Sequence, residues 1–361
     1  MRLIQLSIAH LRCVSEASLQ LRPGLNLITG ANGAGKTSII EAVHLLAYGR
    51  SFRGRVRDGL IQQGYDALRV VAHWQDRELR EHRAGLEHSG RAWSARADGE
   101  PLQTLSDLAA RIAVVTFEPG SHELISGGSE HRRRFLDWAL FHVEPTFLEQ
   151  WRRYARALRQ RNALLKQSDN DDLLAPWEHE LHTSGEAITA QRAAYLARWS
   201  ARLAQAAEEF LPELGTAQAA FVQGWRHEGM ALGEALVASR SRDRVLGYTS
   251  VGPHRADWRV AFASLPGREA LSRGQTKLTA LACVLAQARE FAAIRDEWPL
   301  VCLDDLSSEL DRTHQQRVLL QLSQSSAQVL LTGTEAPAGW DSANLPVARF
   351  HVEQGDVRAL L

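Results

Sequence analysis

The sequence predicts an α/β head built around a phosphate-binding loop and interrupted by an inserted α-helical arm. Three observations predict it. Residues 30–37 read Gly-Ala-Asn-Gly-Ala-Gly-Lys-Thr, a complete G-x-x-x-x-G-K-[ST] loop between a short apolar run and a helical pattern. A second apolar run, residues 300–303, ends in the paired carboxylates Asp304 and Asp305. Between these segments, residues from about 130 to 238 turn rich in Ala, Leu, Arg, Glu and Gln with helical periodicity. The head is therefore expected to be discontinuous, residues 1–120 and 246–361, with the arm at 121–245.

Ile4, Leu6 and Ile8 alternate, as do Leu19 and Leu21, and Pro23-Gly24 supplies a turn before the apolar run at 25–29. Behind the loop, Ile39, Ile40, Val43 and Leu46 recur at helical spacing up to Gly49, a suitable residue to end a helix. Residues 68–72 and 91–97 read as short strands of an antiparallel meander, and 111–117 as another strand closed by Pro119-Gly120. In the arm the helical pattern breaks at Pro145, at the polar run 167–172, at Pro176 and at Pro212. Strand character returns at 256–261, followed by a helix over 274–293. Buried strands are expected at 299–303 and 328–331, and a closing pair at 348–353 and 356–360.

A chain of 361 residues is long enough for two domains and a sizeable core. It is 45% hydrophobic and 23% charged, with 42 Lys plus Arg against 42 Asp plus Glu. Zero net charge gives no global attraction to nucleic acid, so such a partner requires a local basic face. Cys13, Cys283 and Cys302 are odd in number and far apart, and two sit within apolar runs, which favours reduced core residues over disulfides or a metal site. The N-terminal residues alternate like a strand and carry no signal-peptide apolar region, and no stretch approaches 18 consecutive apolar residues. A soluble cytoplasmic protein with no membrane partner is expected.

The loop specifies a nucleoside triphosphate with Mg²⁺. Gly30, Ala31, Asn32, Gly33, Ala34, Gly35, Lys36, Thr37 and Ser38 form the candidate site. Its glycines let backbone N–H groups turn toward the α- and β-phosphates, Lys36 reaches the β- and γ-phosphates, and the Thr37 hydroxyl is placed to ligate the metal. The helix N-terminus adds its dipole. Asp304, the first polar position after its strand, is expected to hold Mg²⁺ through water or through Thr37. Asp305 is expected to orient and deprotonate the attacking water, so Asp305 and Lys36 are the candidate catalytic residues. Upstream, Ser272, Arg273, Gly274 and Gln275 begin a helix and offer a hydroxyl and free N–H groups to an anion.

These elements, in this order, are similar to those of ABC-type ATPases, including the SMC group. The resemblance implies an ABC-type, SMC-like head with a mixed sheet, in which ATP is held between two head-to-tail protomers. Ser272 and Gly274 would then act on the γ-phosphate bound by the partner, and Asp311 would lie in the loop that communicates across the dimer. Within that group the chain resembles the RecF family of bacterial recombination-repair proteins along nearly its full length. The blocks that carry this resemblance are Gly-Arg-Ser-Phe-Arg at 49–53, Gly-Ser-Glu-His-Arg-Arg-Arg-Phe-Leu-Asp at 128–137, Gln-Arg-Asn-Ala-Leu-Leu-Lys at 160–166, Thr-Ser-Val-Gly-Pro-His-Arg at 249–255 and Asp-Asp-Leu-Ser-Ser-Glu-Leu-Asp at 304–311. Ser129 stands where the family usually has proline, and Arg273 where it often has glutamine. The family implies an ATP-dependent homodimer that binds duplex and gapped DNA, loads recombinase with RecR and RecO as partners, and hydrolyses ATP weakly under DNA stimulation. Asp305 replaces the glutamate of transporters, and the strand end Leu-Thr-Gly-Thr at 331–334 lacks the switch histidine of the wider group. Both departures imply slow hydrolysis, with Thr332 or Thr334 as substitute donors. The competing readings are the ATPase subunit of a membrane transporter, a non-hydrolysing ATP-dependent scaffold and, weakest, a P-loop kinase.

A local basic face is present. From 132 to 166, nine Lys and Arg stand against three acidic residues, and at 100° per residue Arg152, Arg156, Arg159 and Lys166 share one stripe of a helix. Trp151, Tyr154, Leu158 and Leu165 form a separate apolar stripe. The acids that follow closely (Asp169, Asp171, Asp172, Glu178 and Glu180) are the natural candidates to neutralise it. A second cluster, Arg50, Arg53, Arg55 and Arg57, follows the phosphate-loop helix, and Arg53 and Arg55 join the candidate DNA contacts. No base-reading motif accompanies either cluster, so contact would be with phosphates and independent of sequence.

Overall fold

The computed structural model describes residues 1–54, 59–167, 170–226, 229–265, 271–340 and 347–360. The chain divides into two compact units, Met1–Ser121 with Ala280–Leu361, and His122–Thr279. Arg55 lies outside the described residues.

The first unit holds two six-stranded sheets. Its first stretch runs through β1 (Arg2–Leu11), β2 (Val14–Gln20), β3 (Leu25–Gly30), helix α1 (Lys36–Tyr48), β4 (Leu68–Gln75), β5 (Glu81–His88), β6 (Trp93–Ala97), β7 (Glu100–Pro101) and β8 (Val114–Phe117). The second unit contributes β9 (Ala217–Val222) and β10 (Asp257–Phe262), and the chain then returns through β11 (Leu300–Leu303), β12 (Val329–Gly333), β13 (Val347–Glu353) and β14 (Asp356–Leu360). One sheet is antiparallel, in the order β2-β1-β4-β5-β6-β7. The other is mixed, in the order β14-β13-β3-β12-β11-β8, parallel except for β14.

Helix α1 packs against strands of both sheets, β1 and β4 on one side and β3, β8 and β12 on the other. Being covered on two sides, it buries Glu41 and His44 as well as the expected Ile39, Ile40, Val43 and Leu46. Those polar groups are satisfied inside. Arg12 Nε and Nη2 donate to Glu41 Oε2 and Oε1 at 3.1 and 2.9 Å, Ser51 donates to the same carboxylate, and Arg53 stands 3.7 Å from it. Burial, helped by the charge of Arg50, pushes His44 down to about 3, so it is neutral and stacks on Tyr48.

In β1 a bulge between Leu3 and Gln5 shifts the expected alternation, so Leu3, Leu6, Ile8 and Leu11 point inward rather than Ile4. Cys283 and Cys302 are buried as expected, but Cys13 is exposed, because it occupies the turn between β1 and β2 rather than either strand.

The second unit is built on the helices Ser129–Val143, Phe147–Gln167 and Ala175–Phe210. Pro145 separates the first two, but Pro176 sits in the first turn of the third, where its missing N–H costs no helical bond. This unit extends to Thr279, beyond the expected 245, because β10 pairs with β9 and not with either large sheet. The hairpin is fastened to the Ser129–Val143 helix: Arg132 Nε donates to Asp257 Oδ1 at 2.6 Å, and Trp258 Nε1 to the Arg132 carbonyl at 2.7 Å.

Two fully buried arginines organise the arm. Arg161 donates to Glu178, Asp243, Thr249 and the Leu236 carbonyl, and Arg192 grips Asp137 with two 2.8 Å bonds while donating to the Pro253 carbonyl at 2.6 Å. The block at 249–255 is thereby given a structural task. Burial pulls His254 down to about 4, so its Nε2–H donates to the Thr249 carbonyl and its Nδ1 accepts from the Tyr154 hydroxyl at 2.6 Å. Gly252, at φ 124°, is the residue that lets this hydroxyl approach, since a Cβ there would stand 2.5 Å from Tyr154 Oη.

Replacing Arg161 with Ala leaves Asp243 fully buried without its cation, while Glu178 keeps Arg240, and is expected to cost about 3–5 kcal/mol. Urea unfolding followed by circular dichroism checks this, with Arg152→Ala, an exposed neighbour on the same helix, expected within about 0.5 kcal/mol of the parent.

Candidate nucleotide site

The loop at 30–38 joins β3 to α1 at the carboxyl end of the mixed sheet. Gly33 and Gly35 have φ of 80° and 118°, conformations that side-chain-bearing residues resist, and Gly35 is the residue before the first helical turn. Gly30 is needed for a different reason: a Cβ there would stand 2.3 Å from the Val352 carbonyl oxygen. At Gly33 no atom lies within 4 Å of such a Cβ, so the loop opens outward at the position where phosphates belong. Ala31, Asn32 and Gly33 are exposed, while Ala34, Gly35, Lys36 and Ser38 are buried. Lys36 Nζ donates to the carbonyls of Gly30 and Ala31, each at 2.9 Å, which curls the loop around its own ammonium and leaves one N–H to spare.

The outer side of the loop is supported by two turns that sequence patterns do not connect to it. The Gly355 N–H in the β13–β14 turn donates to the Ala34 carbonyl at 2.8 Å, and a Cβ at Gly355 would collide with the Cys13 carbonyl at 2.0 Å. Cys13 Sγ in turn lies 3.0 Å from the position a Cβ would take at Gly35.

The carboxylates arrive on β11. Because β12 lies between β3 and β11, its end residue Thr332 falls between the loop strand and the acidic pair. Thr332 Oγ1 donates to Asp304 Oδ1 at 2.5 Å and accepts the Asp305 N–H at 2.9 Å. Thr37 Oγ1 donates to the same Asp304 oxygen at 3.1 Å. Burial raises the Asp304 pKa, while the two threonine hydroxyls and the charge of Arg53 oppose that rise. Asp305 has φ 53° and ψ 41°, a left-handed backbone, and its Oδ1 is buried with no hydrogen-bond partner among the described residues. An unpartnered buried carboxylate oxygen is costly unless something polar reaches it.

Thr37 and Asp304 offer a hydroxyl and a carboxylate 3.1 Å apart, hard oxygen donors that fit Mg²⁺, which keeps several waters and takes its other ligands from phosphates. Thr332, one of the two candidate γ-phosphate donors, spends its hydroxyl on Asp304 and Asp305; Thr334 is exposed.

Ser272, Arg273 and Gly274 are exposed at the start of the helix Arg273–Arg295. Ser272 Oγ accepts the Gln275 N–H at 3.2 Å and Gln275 Oε1 accepts the Ser272 N–H at 2.9 Å, a reciprocal capping box. The cap uses one lone pair of the Ser272 hydroxyl, so its O–H and the first helical N–H groups remain available to an anion. Asp311 is also a cap, accepting the His314 N–H at 3.0 Å, and this bond, with the His314 ring, holds its carboxyl below the usual range.

In the arm, Arg152, Arg156, Arg159 and Lys166 are all exposed, and Tyr154 and Leu165 of the opposite stripe are buried. The nearby acids serve other cations: Glu180 pairs with Arg153, Glu178 with Arg161 and Arg240, and Asp171 with Arg240 and Arg244. Arg161 itself does not belong to the basic surface, since it is fully buried.

The family model for the RecF/RecN/SMC N-terminal domain matches residues 2–355. "DNA replication and repair protein RecF" of Xanthomonas euvesicatoria pv. vesicatoria is 56% identical over 99% of this chain and 98% of its own. The chain belongs to the RecF family. The protein of the same name from Stenotrophomonas maltophilia is 55% identical over 100% of both chains, and that of Shewanella loihica 38% identical over 100% of both. Among solved structures, one described as "recombination mediator protein RecF-ATP in RecFOR pathway" superposes with a TM-score of 0.89 at 24% identity, covering 100% of this chain and 98% of that one. An Smc head domain from Pyrococcus furiosus has the same head fold, with a TM-score of 0.59 at 15% identity over 99% of this chain and 96% of its own. The expected ABC-type, SMC-like head with a mixed sheet and helical arm is thus the fold of this RecF-family chain.

Thr332→Val removes both bonds that orient the acidic pair while keeping its shape. Nucleotide affinity is expected to hold within a few-fold and Mg²⁺-dependent turnover to fall about 10–100-fold, measured by Mg²⁺ titration of phosphate release. The raised Asp304 pKa sets a second expectation. The ionised carboxylate is the form that serves the metal, so Mg²⁺-dependent nucleotide binding should weaken on acidification while the pH is still above about 3.9, the ordinary aspartate value. Calorimetric titration of nucleotide across pH, with Asp304→Asn expected to flatten the profile, checks it.

Proposed function

We propose that this RecF-family chain is an ATP-gated DNA clamp of recombinational repair and replication restart. ATP docks on residues 30–38, with Lys36 against the β- and γ-phosphates. Mg²⁺, held by Thr37 and Asp304, would neutralise phosphate charge. Asp305 accepts the proton of the attacking water through its unpartnered Oδ1, and the short reach of an aspartate suits a slow turnover that serves as a switch.

The observation that carries the dimer reading is the exposed capping box at 272–275, whose hydroxyl O–H and helix N–H groups are unspent. A second protomer's γ-phosphate is the ligand that would use them, with Arg273 adding charge; Asp311 would lie in the loop that communicates across the dimer. Each charge-assisted hydrogen bond contributes about 1.5–3 kcal/mol, and two in each of two sites about 6–12 kcal/mol before the cost of association. About 5.5 kcal/mol suffices to shift a population from 1:99 to 99:1, so dimerisation can depend on the nucleotide.

Duplex and gapped DNA would lie along Arg152, Arg156, Arg159 and Lys166, whose lack of acidic partners among the described residues supports a phosphate-binding role; Arg53 and Arg55 are further candidates. RecR and RecO are the protein partners this reading implies, and the bacterial cytoplasm its location. The transporter reading loses its support, because relatives named RecF match the whole chain. A scaffold without turnover differs from the clamp only in hydrolysis.

Asp305→Asn is expected to accumulate an ATP-bound dimer and Lys36→Ala to remain monomeric with nucleotide binding lost, both read by size-exclusion chromatography with light scattering. One mass with and without ATP, for parent and Asp305→Asn alike, would sink the shared-site model. Replacing Arg152, Arg156 and Arg159 with Ala should lower the log–log salt slope of duplex binding by up to about 2.7, at about 0.9 per phosphate. An unchanged slope removes this face. Phosphate release measured with and without duplex DNA separates clamp from scaffold.

A further inference from the structure

The second unit contains a cavity of about 570 Å³ that the nucleotide chemistry does not use. Arg226, Arg242 and Arg255 line it, together with Trp225, Val222 and Ser250. No acidic side chain lines it among the described residues. The carboxylate closest in sequence, Asp243, is fully buried and already accepts from Arg161, Ser239 and the Ser250 N–H. Arg226, Arg242 and Arg255 are exposed and form no ion pair with a described carboxylate, while Arg255 lies over the Tyr248 ring at 5.0 Å. Three like charges around one concavity repel one another, a conflict that an anionic ligand relieves. Ser250 supplies a second, independent sign: its hydroxyl is buried, it lines the cavity, and it has no hydrogen-bond partner among the described residues.

The rest of the wall decides the kind of anion. Trp225, Met230, Val251 and Ala235 make about half of it apolar, and Val222, 47% exposed, lies in the same wall. A base would need an open aromatic face in the wall, but Trp225, the aromatic residue among those that line it, is 8% exposed with its indole N–H committed to the Met230 carbonyl. Arginine, aromatic and Met side chains around a concavity are the composition of a protein-binding hot spot. We propose that this cavity is a docking site for a segment of a partner protein in which acidic residues flank a large apolar side chain. The apolar group enters against Trp225 and Val222, a carboxylate accepts from the Ser250 hydroxyl, and the arginines hold flanking carboxylates in bidentate fashion.

The test uses the full chain and fluorescence anisotropy with three labelled probes: a hexapeptide of Leu-Phe flanked by Asp and Glu, the same peptide with Lys in place of the acids, and a twelve-residue oligothymidylate. The acidic peptide is expected to bind at least about tenfold more tightly than the basic one. The double variant Arg226→Ala, Arg242→Ala should weaken it at least about tenfold, and Ser250→Leu, which fills the cavity without changing charge, should weaken it as well. Both arginines are exposed and form no ion pair among the described residues, so the double variant should keep the parent's circular dichroism and ATP turnover. Absence of acidic-peptide binding, equal binding by the double variant, or displacement of the peptide by an equimolar amount of oligothymidylate would each overturn the proposal.

Discussion

One carboxylate oxygen, Asp304 Oδ1, ties the site together. It accepts hydroxyl bonds from Thr37 at the start of α1 and from Thr332 near the end of β12, while its own residue directly follows β11. Three segments, one of them 267 residues away in the chain from Asp304 and another 28, therefore meet at one buried atom. Burial disfavours its charge, and the two hydroxyls keep that charge tolerable. The same Thr332 oxygen accepts the Asp305 N–H, which fixes the left-handed turn on which the neighbouring carboxylate is presented. A Mg²⁺–phosphate group would meet a frame already oriented for it, and preorganisation of this kind is what a charged site in a poorly solvated cleft requires.

The arm follows a different economy of charge. Arg161 and Arg192 are buried and hold helices together through complete sets of acceptors, so they contribute nothing to the surface field. Glu178, Glu180 and Asp171 are likewise committed to arginines. Among the described residues, the stripe at 152, 156, 159 and 166, the cavity arginines at 226, 242 and 255 and Arg273 belong to the part of the cationic inventory left to act on another molecule. A local excess of positive residues in sequence is thus a poor measure of a basic surface; the pairing of each one decides.

Much of the head was legible because its signals are local. The glycine loop, the apolar strand ending in two acids and the Ser-x-x-Gln cap each carry their meaning within a few residues. The β5 segment, with His, Arg and Gly in it, has no such signal and becomes a strand because β4 and β6 flank it. The hairpin of β9 and β10 defeated the boundary at 245 for the same reason: strand pairing across 34 or more residues of intervening chain leaves no mark in either segment alone. Cys13, in a two-residue turn, escaped the core because apolar neighbours in sequence are not neighbours in space.

By itself the sequence determined the strand, glycine loop and helix at 25–48, the place of the acidic pair after its strand, the helical nature of the arm and, through its motif blocks, the family. Those properties rest on residue type at short spacing, which backbone geometry converts directly into structure. Only the tertiary structure decided that Thr332 clasps Asp304, that Gly355 supports Ala34, which arginines are spent on buried carboxylates, and that three others surround a cavity. These depend on strand order and on contacts between distant segments, and a one-dimensional pattern does not encode which of many equivalent side chains will find a partner.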